Sequence, residues 1–290
     1  MFDTHCHLNF EAFDTTVDDV IERAKKVGVD HILIPGTDVP TSKKAVQIAE
    51  KHEGAYAAVG IHPHHIYQFL IEMRPSETNF FHKTNKSEKN SFSSDLKKIE
   101  SLLGNPKVVS IGEVGIDRHI YQKTKYPDYK IGEEFVKLQK EILEEQIGMV
   151  VKYEKSLILH NREAKADMFE VLNKTWNKKL EGRSVFHCCE PDHELLEFAK
   201  DHKMFIGVDG DITYYKAKQE FIKAVPLDML VLETDSPFLN PEPNRSKEGG
   251  TKNEPGNIPL IAKFIANLKN ISVEKLSEQT TENAKKLFKL

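Results

Sequence analysis

Val108-Val109-Ser110-Ile111-Gly112-Glu113 is a short, mostly apolar run that ends on a carboxylate. Such runs are typical of buried strands in a parallel sheet, because both faces of that sheet are covered. Seven other runs share this character. The sequence therefore predicts eight strands, at residues 1–5, 31–36, 56–62, 107–113, 156–160, 184–188, 204–209 and 228–235.

Longer amphipathic stretches separate these runs and predict helices, at residues 17–27, 41–52, 132–150, 163–176, 191–202 and 215–225. Two more helical stretches follow the eighth strand, at residues 258–268 and 273–288. Alternating strands and helices indicate βα units, and eight units favour a closed barrel over an open sheet. We therefore expect an α/β protein, a single (β/α)₈ TIM-type barrel over residues 1–290, with the C-terminal helices packed on the barrel.

One segment, residues 72–94, departs from globular composition because Asn, Ser, Lys and Thr dominate it. Phe80, Phe81 and Phe92 are interspersed. The segment follows the third strand and would leave the barrel on the face where strands end. Long irregular segments in compact domains are functional loops or mobile insertions. The polar composition favours a solvated insertion over a substrate lid.

The composition limits the classes of function. The chain has 290 residues, 39% of them hydrophobic, and a net charge of −4, so it is neither disordered nor basic enough to hold nucleic acid mainly by phosphate neutralisation. No stretch of about 18 apolar residues and no signal-like N-terminus occurs, so we expect a cytoplasmic protein that does not bind membranes. The three cysteines are expected to be reduced thiols.

His5 and His7 lie at positions i and i+2 where the first predicted strand ends, so both side chains should point to one side. This spacing suits chelation of one cation. Taken alone, the spacing is a weak signal, and such a pair is more often two surface histidines than a metal site.

Four other predicted strands also finish on a histidine or an acid, namely Glu113, His160, His187 and Asp235. All strands of a parallel barrel end on one face, so these residues should converge. A ligand set of imidazoles and carboxylates without a thiolate suits Zn²⁺, Mn²⁺, Fe²⁺ or Mg²⁺. It argues against a structural, cysteine-rich zinc site. A carboxylate such as Glu113 can bridge two cations, which would activate water for attack on a phosphodiester.

Seven stretches resemble, in order, the signatures of the TatD-type deoxyribonuclease family of metal-dependent barrel hydrolases. They are Phe2-Asp3-Thr4-His5-Cys6-His7-Leu8, Gly60-Ile61-His62-Pro63-His64, Ile111-Gly112-Glu113-Val114-Gly115-Ile116-Asp117, Leu159-His160-Asn161-Arg162-Glu163-Ala164, Phe186-His187-Cys188, Glu233-Thr234-Asp235-Ser236-Pro237-Phe238-Leu239 and Thr281-Glu282-Asn283-Ala284-Lys285-Lys286-Leu287-Phe288.

The resemblance implies two divalent cations, Mg²⁺, Mn²⁺ or Zn²⁺, bound by His5, His7, Glu113, His160, His187 and Asp235. Glu113 would bridge the cations, and Asp235 would accept the proton of the attacking water. The implied substrate is nucleic acid, single-stranded DNA ends above all, cleaved by a monomer or weak oligomer with possible 3′–5′ exonuclease action. For Asp235, the structural alternative is the N-cap of a helix.

Four more residues are candidates around these ligands. By resemblance, His62 would donate a hydrogen bond to the scissile phosphate, although a packing histidine is the alternative. Glu233 shares a face with Asp235 and should orient a metal ligand. Arg162 and Arg245 could contact phosphate, and solvent-exposed arginines would look the same in the sequence.

Two features put the substrate in question. Cys189-Glu190-Pro191 replaces the small polar residues of many relatives and adds a carboxylate near the site. The stretch 118–130 carries Tyr121, Tyr126 and Tyr129 among basic residues, which suits either a stacking platform for a single strand or an ordinary packed loop.

Two other classes of function compete with a nuclease. A related barrel hydrolase could attack a carbonyl, as an amidohydrolase, a lactonase or an aminoacyl-tRNA esterase. A bridging carbamylated lysine would favour an amidohydrolase, but the fourth strand offers Glu113 instead. A catalytically inactive scaffold is the third class, and intact candidates at every ligand position speak against it.

Overall fold

The computed structural model describes residues 1–73, 90–126, 128–246 and 252–290. Eight parallel strands follow one another in chain order and form a nearly closed barrel. They are β1 (Phe2–Asp3), β2 (His31–Pro35), β3 (Ala55–Val59), β4 (Val108–Asp117), β5 (Ser156–Arg162), β6 (Ser184–Phe186), β7 (Phe205–Val208) and β8 (Leu230–Leu232). The predicted barrel is confirmed.

Helices alternate with the strands around the outside of the barrel. They are α1 (Val17–Lys26), α2 (Val39–Lys51), α3 (Pro63–Met73), α4 (Asn90–Leu102), α5 (Glu133–Tyr153), α6 (Lys165–Thr175), α7 (His193–Asp201), α8 (Lys216–Ala224), α9 (Ile258–Lys269) and α10 (Val273–Phe288). Asp38 and Thr41 form a capping box at the start of α2, which satisfies N–H groups that the first turn leaves unpaired. No helix of the described residues is long and apolar enough to cross a membrane.

The barrel interior is filled by alternate strand residues. Ile158, Val185 and Val231 belong to one buried cluster that also contains Leu287 and Phe288 of α10. Since side chains alternate along a strand, the residues two positions further on also point inward. These are His160, His187 and Glu233. The same alternation therefore builds an apolar base and, above it, a polar upper layer.

Helix α10 covers the end of the barrel where the strands begin. Asn283 donates hydrogen bonds to Leu227 O and Leu230 O at 2.9 and 2.7 Å, at the start of β8. Ser156, the first residue of β5, donates to Leu287 O at 2.5 Å. The apolar end of the barrel is thus closed by the C-terminal helix.

Strands β4 and β5 are longer than predicted. β4 continues from Glu113 to Asp117 and β5 from His160 to Arg162, so both candidate ligands lie inside strands. The register between these strands shifts between Ile111 and Val114. Pairing continues past the ligands because Gly115 lets the backbones approach: a Cβ at Gly115 would stand 1.8 Å from His160 O.

The predicted irregular segment 72–94 is wrong at both ends, because α3 extends to Met73 and α4 begins at Asn90. Leu96 and Ile99 are buried and Phe92 packs against the core, so an apolar helical face extends into the segment. Residues 74–89, with Phe80 and Phe81, lie outside the described residues.

Candidate metal centre

His5, His7, Glu113 and Asp235 meet where the barrel closes between β1 and β8. His5 Nε2 lies 3.2 Å from His7 Nε2, and these nitrogens lie 3.3 and 3.6 Å from Glu113 Oε2. Asp235 Oδ1 lies 3.8 Å from His5 Nε2 and 3.4 Å from His7 Nε2. Four donor atoms, two after β1, one within β4 and one after β8, therefore face one small volume.

These separations fit the coordination shell of one divalent cation. Two donor atoms that each lie about 2.1 Å from a cation are about 3.0 Å apart at a right angle and about 3.4 Å apart at the tetrahedral angle. The distances among His5, His7, Glu113 and Asp235 lie in or slightly above this range. The donors suit a cation with mixed nitrogen and oxygen ligands.

The other oxygen of Glu113 faces a second group of donors. Glu113 Oε1 lies 2.7 Å from His160 Nδ1, 3.6 Å from His187 Nε2 and 3.4 Å from His62 Nε2. His62, Glu113 and His160 form one cluster that could hold a metal ion, and His5, His7 and Asp235 form another. Glu113 therefore stands between two potential cation sites, with one oxygen directed to each.

The surrounding charges keep Glu113 ionised. Although burial acts to raise the pKa of Glu113, the neighbouring imidazoles of His62, His187 and His160 outweigh burial and hold this pKa well below its usual value. Burial and the nearby His187 lower the pKa of His5 to about 4. The bridging acid is thus a carboxylate and His5 is a neutral imidazole, the forms that bind metal.

His160 and His187 behave differently. Burial acts to lower the pKa of His160, but its hydrogen bonds to Asp117 and Glu113 raise it to about 9. Burial is likewise outweighed at His187, where the charges of Glu233 and Glu113 raise the pKa to about 10. In the metal-free chain both rings are imidazolium ions at neutral pH.

His62 is oriented as a hydrogen-bond donor. Its Nδ1 accepts a hydrogen bond from the backbone N–H of His64 at 3.1 Å, so the neutral ring carries its proton on Nε2. Burial lowers the pKa of His62, which favours this neutral form. The protonated Nε2 faces Glu113 and the cavity, which agrees with a donor and not with a metal ligand.

Glu233 and Asp3 support the ligands from behind. Glu233 Oε1 lies 3.2 Å from His187 Nδ1 and accepts a hydrogen bond from Cys188 N at 2.5 Å. Asp3 accepts hydrogen bonds from His5 N, Thr234 N and Thr234 Oγ1 at 3.2, 3.0 and 2.6 Å. The predicted position of Glu233 beside a ligand matches this geometry, whereas Asp3 was not singled out.

Asp117 is a further residue that sequence reasoning did not single out. Its carboxylate is fully buried and lies 3.0 Å from His160 Nε2, on the opposite side of that ring from Glu113. Tyr121 donates a hydrogen bond to Asp117 at 2.7 Å. The period of two from Glu113 through Gly115 would have placed Asp117 on the same face, had the predicted strand not stopped at Glu113.

A cavity of about 630 Å³ opens above these residues. Its lining includes His62 and five of the six predicted ligands, with His5 buried beneath: His7, Glu113, His160, His187 and Asp235. Phe10, Tyr121 and Phe238 add aromatic surface, and the exposed fraction of Phe238 is 52%. Asp235 faces the histidines, and no helix begins at the residue after it, so the N-cap alternative does not apply.

The two predicted arginines lie in different places. Arg162 lines the cavity and donates a hydrogen bond to Tyr121 Oη at 3.3 Å. Arg245 is not among the described lining residues: its guanidinium lies 4.2 Å from the centre of the Tyr214 ring and 3.6 Å from Glu242. A phosphate contact by Arg245 stays a prediction.

Of the three tyrosines in the predicted stacking platform, Tyr121 lines the cavity. Tyr126 and Tyr129 pack instead against Tyr67, with ring centres 5.6 and 4.7 Å from it. Most of this stretch therefore serves packing.

Comparison with known proteins gives a consistent result. The sequence profile described as TatD related DNase matches residues 2–289. The chain is 33% identical to the uncharacterized metal-dependent hydrolase YabD of Bacillus subtilis, over 100% of this chain and 99% of that protein. It is 29% identical to the 3′-5′ ssDNA/RNA exonuclease TatD of Erwinia tasmaniensis, over 100% of both chains. The crystal structure of YjjV, a TatD homologue of Escherichia coli K12, shares the fold with a TM-score of 0.79 at 24% identity, over 100% of this chain and 98% of that one.

Proposed function

The chain belongs to the TatD-related DNase family of metal-dependent hydrolases, and on this basis we propose that it cleaves phosphodiester bonds in nucleic acid. The observation that carries the proposal is the convergence of the donor atoms of His5, His7 and Asp235 with those of His160 and His187 around a single carboxylate, Glu113. These residues are scattered over more than two hundred positions, so local structure alone does not explain their meeting.

We assign the residues to two cation sites that share Glu113. His5, His7 and Asp235 would complete one site, and His160 and His187 the other, which leaves His62 as a donor to the substrate. Two bound cations would lower the pKa of a water molecule and stabilise charge on the phosphoryl oxygens. Glu233 Oε1 faces His187 Nδ1 at 3.2 Å, the position from which a carboxylate usually orients a metal-bound histidine.

We propose Asp235 as the proton acceptor for the attacking water. Its side chain is 16% exposed, whereas that of Glu113 is 5% exposed. Asp235 therefore touches both the histidine cluster and the open cavity, so that it can accept a proton from water on the cavity side. His62 would donate its Nε2 proton to a phosphate oxygen.

The cavity favours a strand end as the substrate. A volume of about 630 Å³ is of the size that encloses a small molecule, not a double helix. The net charge of −4 offers no general attraction to polyanions, so affinity must come from bound cations and from groups such as Arg162. The name of the Erwinia relative, a 3′-5′ exonuclease of single-stranded DNA and RNA, supports the same direction of cleavage here.

The test is cleavage of 5′-labelled single-stranded DNA by the purified protein with Mg²⁺ or Mn²⁺. We expect a ladder that shortens from the 3′ end, abolished by EDTA, and a loss of about 10³-fold or more for Asp235→Asn. Asp201→Asn, at an exposed position on α7, is the control and should cleave at the normal rate. Cleavage that survives both chelation and Asp235→Asn would contradict the proposal.

The carbonyl-directed alternative finds less support. A carbamylated lysine would have to reach both groups of ligands, but Glu113 fills that position. Lys218, which lines the cavity, lies 3.1 Å from Asp209 and 2.7 Å from Asp211. A lysine committed to two carboxylates is not available as a bridge between cations.

A further inference from the structure

A buried group of charges lies in the cavity wall beside the metal centre. It consists of Lys218 on α8, Asp209 after β7, Asp211 in the turn Gly210–Thr213, and Cys188 after β6, and we call it the Lys218 cluster. Lys218 is 2% exposed, and its ammonium lies 3.1 Å from Asp209 Oδ2, 2.7 Å from Asp211 Oδ1 and 3.8 Å from Cys188 Sγ. The proposed function gives none of these residues a catalytic role.

The cluster has one acid more than its single cation neutralises. Asp209 is fully buried and accepts a hydrogen bond from Asp211 N at 2.9 Å, so it is the carboxylate that the surroundings stabilise. An unpaired negative charge in a buried place is costly, and two nearby carboxylates relieve this cost by sharing one proton. The proton should reside on Asp211, the less buried of the two acids.

The pKa directions agree with this assignment. Burial and the charge of Asp209 raise the pKa of Asp211 to about 8, although Lys218 acts to lower it. The pKa of Asp209 is lowered because Lys218 and hydrogen bonds outweigh its burial. The other groups that face Asp211 hold their protons, since burial raises the pKa of Cys188 and that of Tyr214. At neutral pH the cluster therefore contains one protonated carboxyl.

That carboxyl faces the same cavity as the predicted metal ligands. Asp211 and Lys218 line the cavity together with His187 and Glu113. A donor atom of Asp211 lies within 4.8 Å of Cys188 Sγ, and Cys188 directly follows His187. A substrate bound at the cations would thus have a neutral carboxylic acid along the wall formed by the loops after β6 and β7.

Cleavage of a phosphodiester is accelerated by a proton donor beside the leaving oxygen. The leaving O3′ of a nucleotide is strongly basic, so its departure is helped by a positioned acid. Four other groups in the cavity wall are poor proton donors. His64 and His65 are neutral because burial lowers their pKa values, Tyr121 is bonded to Asp117, and Arg162 does not release its proton.

We propose that Asp211 is the general acid that protonates the leaving oxygen, an inference that rests on the proposed nuclease function. The hydroxide oxygen forms a bond to phosphorus, the P–O3′ bond breaks, and its electron pair takes the proton of the Asp211 carboxyl. The Asp211 carboxylate, stabilised by Lys218, then regains a proton from solvent. Lys218 and Asp209 are positioning residues that keep the shared proton on Asp211.

The test compares two substrates that differ in the leaving group. In thymidine 5′-(p-nitrophenyl phosphate), the p-nitrophenolate leaves without protonation because it is weakly basic, whereas oligothymidylate releases a basic O3′. Both reactions are followed with Mn²⁺ for the wild type, Asp211→Asn and Asp201→Asn. For Asp211→Asn we expect oligothymidylate cleavage to fall about 10²-fold or more and p-nitrophenyl ester hydrolysis to fall less than about threefold. Asp201→Asn should match the wild type on both.

The p-nitrophenyl ester also reports whether a variant is folded and loaded with metal. Equal losses on both substrates for Asp211→Asn would overturn the assignment, because they indicate a structural role. So would a selective loss for Glu190→Gln, another acid of the cavity wall, in place of Asp211→Asn. If the wild type cleaves neither substrate, the nuclease function itself fails, and the inference falls with it.

The pH profile gives an independent measurement. Wild-type cleavage of oligothymidylate should decline as the pH rises through about 8, because the Asp209–Asp211 pair then loses the proton it donates. Hydrolysis of the p-nitrophenyl ester should lack this decline, and Asp211→Asn should lack it on both substrates. An alkaline decline of equal size in the wild type and in Asp211→Asn would contradict the proposal.

Discussion

At the scale of single residues, Asp3 shows how an unreactive side chain can set the geometry of the site. Its carboxylate is fully buried and accepts hydrogen bonds from His5 N and from both the backbone and the hydroxyl of Thr234. Asp3 thereby joins the segment that carries His5 and His7 to the segment that carries Asp235. Asp3 is thus one of several connections, with the hydrogen bonds from Asp235 N to His5 O and from His7 N to Ser236 O, that hold together the two halves of this candidate cation site.

We expect Asp3→Ala to weaken both the fold and cation binding. Removal of a carboxylate that satisfies three donors should lower the free energy of unfolding by about 1–3 kcal/mol. Displacement of the histidines should weaken Mn²⁺ binding about 10- to 100-fold, as for other residues that orient ligands. Urea denaturation and calorimetric titration measure these effects, with Asp201→Ala as the control. Unchanged Mn²⁺ affinity would show that the segments hold their places without Asp3.

Cation binding should release protons from His160 and His187. Their pKa values, raised to about 9 and about 10, make both rings cationic at neutral pH, and a cation binds the neutral ring. Affinity should therefore rise with pH and level off above about pH 10. Titration calorimetry at pH 7.5 in two buffers of different ionisation enthalpy counts the released protons. Identical heats in both buffers would mean that no proton is displaced.

At the scale of elements, β4 is the strand on which the centre depends. Glu113, Gly115 and Asp117 alternate along it, so that the two acids enclose His160 of β5 from both sides. Gly115 makes this possible, because any side chain there would meet the backbone of His160. The strand pairing and the position of one candidate ligand have the same steric cause.

Gly115→Ala should therefore separate β4 from β5 near His160. The added Cβ would stand 1.8 Å from His160 O, and relief of this clash should destabilise the protein by more than about 3 kcal/mol and impair metal binding. Gly148→Ala on α5 is the matched control, since nothing lies within 4 Å of its added Cβ. That variant should gain about 0.5–1 kcal/mol in unfolding free energy. Equal stability of the two variants would refute the steric explanation.

The alternation of side chains along a strand explains which residues of the site could be predicted from the sequence. His5 with His7, and Glu233 with Asp235, follow from a period of two at the end of a recognisable apolar run. Asp117 was missed because the run Val108–Glu113 ends visibly at its carboxylate, while pairing beyond it depends on contact with β5.

Contacts between elements that are distant in the sequence leave no local sequence pattern, so they could not be predicted. Lys218 occupies a position on α8 that helical periodicity assigns to the buried face, but its partners Asp209 and Asp211 follow a strand. The Arg245 guanidinium likewise lies 4.2 Å from the centre of the Tyr214 ring, a contact that no local sequence pattern predicted. The barrel itself could be predicted because each of its βα units repeats one pattern of apolar spacing.

At the scale of the whole molecule, the barrel separates stability from chemistry. Leu287 and Phe288 of α10 are buried with strand residues at one end, and the candidate ligands lie at the other. Because the packed interior lies between the two ends, a substitution at the apolar end should lower the stability of the protein and leave the geometry of the candidate ligands unchanged.

Leu287→Ala should lower the free energy of unfolding by about 2–5 kcal/mol, because it leaves a cavity in a fully buried cluster. Mn²⁺ affinity, measured well below the unfolding transition, should change less than about twofold. Leu290→Ala, at an exposed position two residues from the end of α10, is the control and should leave stability unchanged. A large fall in Mn²⁺ affinity for Leu287→Ala would show that the two ends are coupled.

The closure between β1 and β8 is short, since these strands have two and three residues. Backbone hydrogen bonds join the beginning and the end of the sheet here: Thr4 N donates to Leu232 O, and Asp235 N donates to His5 O. His5 and His7 stand on one side of this seam and Asp235 on the other, so an ion held among them would add a cross-link between the segments that follow the first and the last strand. Release of the ion and opening of the barrel at this seam should therefore occur together.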